Sequence, residues 1–356
     1  KPCYFVASRG HHADIGGLTP GSMPPFSRSI DEEGLLLRNE TFVVDGRHDN
    51  IAWQKRLNRG ALPPRNPSEL LADLHAQVAA NQLGVYEMEA LVKHAGKEVV
   101  STYMTHLQDN AAKAVGRVLE KLKDSEFSVE LDNGAQLSVQ LSIDKERHKA
   151  KLDFSKTSPQ GQGNFHAPLA ITKAVVLYVF RCLIQEETPL NAGCFEPIEL
   201  IIPKGCLLNP RYPAAVVAGN VETSQALCNL LFGALGALAA SQGTMNNVTF
   251  GDEKNQYYET IAGGSGAGKG FNGTDGIQTH MTNSRLTDPE ILEQRYPIRL
   301  ELFAIRKGSG GIGKWNGGDG LLRKFRFLAP MTFSILSGSR RIAPFGLEGG
   351  MPGEVG

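Results

Sequence analysis

The 356 residues are 41% hydrophobic and 21% charged, and 37 basic against 37 acidic side chains leave a formal net charge of +0. This is the make-up of a soluble globular protein with room for two domains or one large one. No like-charge block recommends nucleic acid or an anionic membrane as partner, and no apolar run reaches the roughly eighteen residues of a membrane span.

Residues 1–60 read as strands divided by glycine and proline turns, at 4–7, 35–39 and 41–44. Residues 66–124 read as helical. Asn66 is placed to cap and Pro67 to occupy the first position, and Leu70, Leu71, Leu74 and Val78 then follow helical spacing. A second helical stretch, 97–123, carries Val100, Tyr103, Met104, Leu107, Ala111 and Val118 on one stripe. Residues 126–154 change period. Phe127, Val129 and Leu131 alternate with polar residues, Asp132-Asn133-Gly134 is a hairpin signal, and Leu137, Val139, Leu141 and Ile143 alternate again, with a third strand at 151–154. An apolar helix follows over 165–186 and a strand over 196–202. Next comes a helix over 221–242, rich in small residues that let other backbone come close. From 256 on the chain reads as strand and glycine loop, with one short helix near 288–295.

Helices and strands come in blocks, which predicts an α+β fold with mixed sheets and helical blocks. We expect one body over 1–356, with a strand-rich segment 1–65, a helical segment 66–125 and an α+β part 126–356. Cys3, Cys182, Cys194, Cys206 and Cys228 are odd in number and hold no Cys-x-x-Cys pair, the pattern of reduced thiols in a cytoplasmic protein. No secretory leader is recognisable. The start at Lys1 and the Gly/Pro stretch at 349–356 suggest that both ends are cut from something longer.

The stretch Ser8-Arg9-Gly10-His11-His12-Ala13-Asp14-Ile15-Gly16-Gly17 concentrates chemistry. Imidazole and carboxylate suit Zn, Mn or Fe, and the glycines allow a sharp turn behind them. Side chains alternate along a strand, so a regular strand puts His12 with Asp14 and turns His11 away. The competing reading is a solvated histidine pair. Residues 263–270 nearly match a phosphate loop, but Gly270 lacks the hydroxyl and no helix opens behind it, so a glycine loop lining a site or joining strands is the better reading. Asn220, Glu222, Thr223, Ser224 and Gln225 read equally as a helix start capped by Asn220 or as the wall of a pocket. Tyr257, Tyr258, Glu259 and His280 are polar residues around the glycine loop, with His280 a candidate base or ligand. Arg9, Arg285 and Arg306 are candidates, by charge alone, to hold a substrate carboxylate.

Taken together, SRGHHADIGG (8–17), PGSMP (20–24), DLHAQVAAN (73–81), NPRYPAAVVAGN (209–220), YETIAGGSGAG (258–268), HMTNSRLTDPEILEQRYP (280–297) and GSGGIGKWNGGDG (308–320) make the chain resemble the hydantoinase B/oxoprolinase family. The resemblance is strongest to the hydantoinase B half of ATP-dependent 5-oxoprolinases. DFSKT (153–157) departs from the family pattern, with Lys156 where glycine is usual.

The resemblance implies an ATP-dependent hydrolase of cyclic amides that opens 5-oxo-L-proline to L-glutamate, in the context of glutathione metabolism. ATP with Mg is used by a fused or separate hydantoinase A-type half, so the isolated piece is expected to be inactive. The resemblance further implies a divalent metal (Mn, Zn or Mg) held by His11, with His12 weaker. By the family motif Asp14 is a further ligand or a carboxylate orienting the imidazole; on the residues' own chemistry Asp14 and His280 are taken as catalytic, and Asn220, Glu222, Thr223, Ser224 and Glu259 as lining the substrate. Part of the family's ligand set comes from a segment absent from this chain, and members tend to form oligomers. The alternatives are an N-methylhydantoinase, an acetone-carboxylase-type subunit, or a non-catalytic assembly subunit.

Overall fold

The computed structural model describes residues 2–253 and 255–356. The strands expected at 4–7, 35–39 and 41–44 do not form; residues 2–49 run as irregular chain with two short 3-10 turns, Pro20–Ser22 and Ile30–Glu32. The apolar residues there pack on helices rather than pair in a sheet. Ile15, Leu35, Leu37 and Phe42 cover Trp53, Leu57, Leu70 and Leu71. Backbone bonds such as Leu35 N–H to Ile15 O (2.9 Å) and Leu18 N–H to Glu32 O (3.0 Å) tie the segment to itself.

Helix α1 (Asn50–Leu57), which the sequence reading missed, is capped by the Asp49 carboxylate accepting from Ala52 N–H at 3.0 Å. In α2 (Pro67–Ala95) Asn66 caps through Glu69 N–H at 3.2 Å with Pro67 in the first turn, as expected. Gly96, at φ +85°, breaks the path before α3 (Lys97–Lys121).

Strands β1 (Ser125–Glu130) and β2 (Gln136–Asp144) form the expected hairpin, Phe127 opposite Val139, with Gly134 at φ +80° in the turn. β3 (Lys149–Asp153) pairs antiparallel with β2, and β4 (Ile198–Ile201) joins it in parallel after the crossover helix α4 (Leu169–Leu183). The sheet order is β1-β2-β3-β4. Its apolar face, together with α3, α4 and α5 (Ser224–Ala234), encloses the main core around Phe154, Phe180, Leu137, Leu152 and Leu227.

The helix expected over 221–242 is shorter and starts differently. A π turn, Gly219–Thr223, leads into α5, so Asn220 lies inside the turn and Ala218 stands at its start. Beyond Ala234 the chain turns at Gly236 (φ +61°) and runs along the glycine loop, with Ala239 N–H on Ala267 O at 2.9 Å. A second sheet, β6-β5-β9, consists of β5 (Asn247–Gly251), β6 (Gln256–Thr260) and β9 (Thr332–Leu336). The short helix α6 (Pro289–Arg295) leads into a two-stranded ribbon, β7 (Ile298–Arg306) and β8 (Gly320–Phe327). The architecture is therefore α+β, with several sheets and helical blocks.

Candidate functional site

At the N-terminal corner, Asp14 is buried, and four donors occupy its carboxylate. Oδ1 accepts from Gly16 N–H (2.9 Å) and Arg65 N–H (3.1 Å); Oδ2 accepts from Gly21 N–H (3.1 Å) and Arg65 Nη1 (2.9 Å). The carboxylate thus locks the turn made by Gly16 and Gly17, at φ +92° and +89°. His12 does not meet Asp14. Its Nδ1 lies 3.2 Å from Asp73 Oδ2 on α2, while His11 is exposed. The test for a divalent ion is the donor set. Asp14 has no lone pair left to give, and no group of three or more His, Cys, Asp or Glu among the described residues is placed to hold a metal. His11, His12 and Asp14 as arranged here do not fit one.

Glu33, on the same segment, was not foreseen. Buried, it accepts from Val216 N–H (2.9 Å to Oε2), Val217 N–H (3.0 Å to Oε1) and the Ser27 hydroxyl (2.8 Å), and so fastens residues 20–33 to the chain entering the π turn. Burial holds its pKa above the usual carboxylate value against these donors.

The π turn places Glu222 in the interior. Its Oε1 accepts from Met245 N–H (3.1 Å) and Asn247 Nδ2 (2.8 Å), and Asn247 in turn accepts from the Tyr258 phenol at 2.8 Å. Its Oε2 makes no hydrogen bond among the described residues. Burial raises the pKa from 4.5 to about 8, and the donors around it do not cancel that, so near neutral pH the side chain is mainly the neutral acid. Glu222 lines a cavity of about 260 Å³ beside β1 and residues 338–345. Thr223 and Ser224 donate their hydroxyls to Phe165 O and Asn220 O; both are anchors of the turn. The pocket-wall reading therefore fits Glu222, while Thr223 and Ser224 hold backbone. No side-chain bond supports Asn220 as a cap.

Glu259 belongs to a different environment. Along β6, Tyr258 and Thr260 face Asn247, whereas Tyr257 and Glu259 point through the other face, opposite Phe250 and Val248 of β5. There Glu259 Oε2 accepts from the Tyr257 phenol (2.8 Å) and from Arg323 Nη1 of β8 (2.7 Å); burial raises its pKa, opposed mainly by Arg323. The sheet β6-β5-β9 thus separates the two glutamates that the sequence reading put in one site. On the Glu259 side lies a cavity of about 580 Å³, bounded by Arg323, Val248, Ile335 and the loops around 264–269 and 309–318. Those loops are stacked backbone to backbone: Gly273 N–H reaches Asn316 O at 2.8 Å and Gly318 N–H reaches Ser265 O at 3.0 Å. A Cβ on Gly264 falls 1.7 Å from Gly318 O. The glycines of the near phosphate loop serve this contact.

His280 sits apart again, at φ +54°, its Nδ1 3.3 Å from the Tyr178 phenol and its ring near Phe232. Burial lowers its pKa to about 4, so it is a neutral imidazole at physiological pH, with Nε2 unpartnered among the described residues. Arg323 and Asn247, which organise the two glutamate environments, were missed. Nothing in the sequence sets them apart from other Arg and Asn residues. The one available cue, Arg323 on the alternating run of β8, gives its face and not its partner.

A family profile described as hydantoinase B/oxoprolinase matches residues 1–356. The chain is 48% identical over 362 residues to a 5-oxoprolinase of Dictyostelium discoideum, covering 99% of this chain and 28% of that protein. It therefore spans less than a third of that relative's length. Two solved structures share its fold. One is acetone carboxylase in its nucleotide-free state (TM-score 0.84, 18% identity, 98% of this chain and 50% of the other). The second is the ATP-dependent caprolactamase from Pseudomonas jessenii (TM-score 0.77, 23% identity, 91% of this chain and 59% of the other).

Proposed function

The chain belongs to the hydantoinase B/oxoprolinase family, and from that premise we propose that it is the hydrolytic part of an ATP-dependent enzyme that opens 5-oxo-L-proline to L-glutamate. The observation that carries the reading is the 48% identity to a 5-oxoprolinase across 99% of the chain. A lactam is a poor electrophile because its nitrogen lone pair is delocalised into the carbonyl. ATP, handled by a hydantoinase A-type part outside this chain, converts the amide oxygen into a phosphate leaving group. Water then adds to the carbon, the C–N bond breaks as the ring nitrogen takes up a proton, and a second water cleaves the resulting acyl phosphate into carboxylate and phosphate.

Within this chain Glu222 has the properties of the proton donor: it is neutral near pH 7, buried, and has an oxygen unpartnered beside a cavity. Residues Asn247 and Tyr258 fix its orientation. The neutral His280 and the Asp14–Arg65 pair hold structure in this scheme.

The test uses the full-length polypeptide with ATP and a panel of 5-oxoproline, caprolactam, a hydantoin and acetone, following ADP together with each product. Glutamate formed from 5-oxoproline at a rate well above the others supports the reading. Turnover of another member of the panel, with 5-oxoproline inert, replaces it.

A further inference from the structure

The side chain of Arg323 is wholly enclosed, 0% exposed, as is Glu259 at 2%. Only Nη1 is used, on Glu259 Oε2; Nε and Nη2 have no acceptor among the described residues. Phe303 and Phe325 lie against the guanidinium, each ring centre 5.1 Å from its carbon, and offer no lone pair to those N–H groups. A buried charged donor without a partner is costly, so two on one side chain require an explanation. Arg323 also lines the 580 Å³ cavity. Around that cavity Lys269, Lys314 and Arg340 outnumber Glu348, while Arg306 is neutralised by Glu354 at 2.8 Å. The surroundings favour an anion, and the unused Nε and Nη2 present the parallel fork that a carboxylate accepts from.

We infer that the cavity between the glycine-rich loops is a binding site for a small carboxylic acid, whose carboxylate accepts from Nε and Nη2 of Arg323. Glu259 and Tyr257 hold the guanidinium from behind, and the Phe303 and Phe325 rings fix its plane. The N–H groups are sealed from bulk water, so the ligand reaches them only as the glycine loops part. Those loops are held by backbone contacts and by side-chain acceptors on backbone N–H groups, Ser265 on Thr274, Asn272 on Asn316 and Asp275 on Asp319, all of which must give way. This cavity lies across the β6-β5-β9 sheet from Glu222, so the acid held here is not in reach of that side chain, and 5-oxoproline serves as a probe because it is a small carboxylic acid. A cavity of this size accommodates a five-membered lactam with space for a water.

Calorimetric titration of the full-length polypeptide without ATP tests this independently of turnover, with 5-oxoproline and with 2-pyrrolidinone, the same ring lacking the carboxylate. The wild type is expected to favour 5-oxoproline at least about tenfold. Arg323→Gln is expected to remove that preference and leave the affinity for 2-pyrrolidinone unchanged. Should that variant unfold, the double substitution Glu259→Gln with Arg323→Met removes both charges together and must likewise lose the preference. Retention of the preference in a folded variant overturns the inference. So does inorganic phosphate binding in an Arg323-dependent way while 5-oxoproline does not. If the preference depends on Arg323 but the full enzyme with ATP yields no glutamate, the site stands and the proposed reaction falls.

Discussion

Glu222 shows how burial alone changes what a carboxylate can do. Its folded pKa, about 8, lies above the ordinary 4.5. The stability tied to this group is therefore complete below pH 4.5 and is lost as pH rises through about 8, at roughly 1.4 kcal/mol per pKa unit of difference. Glu222→Gln keeps a neutral acceptor for Met245 N–H and Asn247 and removes the titration. Thermal unfolding followed from pH 5 to pH 9 is expected to show the variant overtaking the parent at the alkaline end, with the difference shrinking to little at pH 5. At Asp14 every lone-pair direction of the carboxylate is already met. Asp14→Asn leaves Arg65 beside a weaker acceptor and turns one donor against another; a loss of about 2 kcal/mol in denaturant unfolding is expected. His11→Ala, at an exposed position, is expected to stay within about 0.5 kcal/mol. At this scale the sequence was illegible as to the partners of its polar residues. Spacing put His12 with Asp14, yet an aspartate from α2, 59 positions beyond Asp14, is the one His12 meets.

The elements were most legible where one face is buried against a regular partner. The alternation in β1 and β2, the Asp132-Asn133-Gly134 turn and the Asn66-Pro67 helix start all appear as read, because period and capping are local properties. The misreadings share one cause. Residues 4–7 and 35–44 have strand-like composition and no neighbouring strand among the described residues; packing on α1 and α2 decides the path of 35–44, while Phe5 and Val6 stay exposed. The α5 region was extended too far because small residues look helical, while Gly236 turns the chain to meet the glycine loop. The π turn that starts α5 depends on a close approach: a Cβ at Gly219 falls 2.0 Å from His166 O. Gly219→Ala must move one of two buried segments and is expected to cost about 1–3 kcal/mol. Near-ultraviolet circular dichroism combined with denaturant unfolding checks both the packing and the loss.

Over the whole molecule, the helical pair α2 and α3 leaves rows of apolar side chains uncovered. Of the 29 residues of α2 only Leu70 and Leu71 are buried. Leu83, Tyr86 and Leu91 on α2, and Val99, Tyr103 and Leu107 on α3, remain exposed. Scattered apolar residues on a surface are ordinary, but rows of them along two neighbouring helices promote association. Sedimentation of the isolated chain at rising concentration is expected to show self-association, and Tyr86→Glu with Tyr103→Glu to suppress it at unchanged melting temperature. The family was legible from motif order, and the α+β architecture from the blocks in which helices and strands come. The division of the candidate site was not, because it depends on which way individual side chains leave a strand.

That division has a consequence for how the chain tolerates length changes. Tyr258 and Glu259 are sequence neighbours that serve opposite sides of one sheet. Adding or deleting a single residue within β6 exchanges them, sending the phenol toward Arg323 and the carboxylate toward Asn247, so both chambers are miswired by one event. Substitutions in β6 are felt on one side at a time. The number of residues in this five-residue strand is therefore held more strictly than their identity.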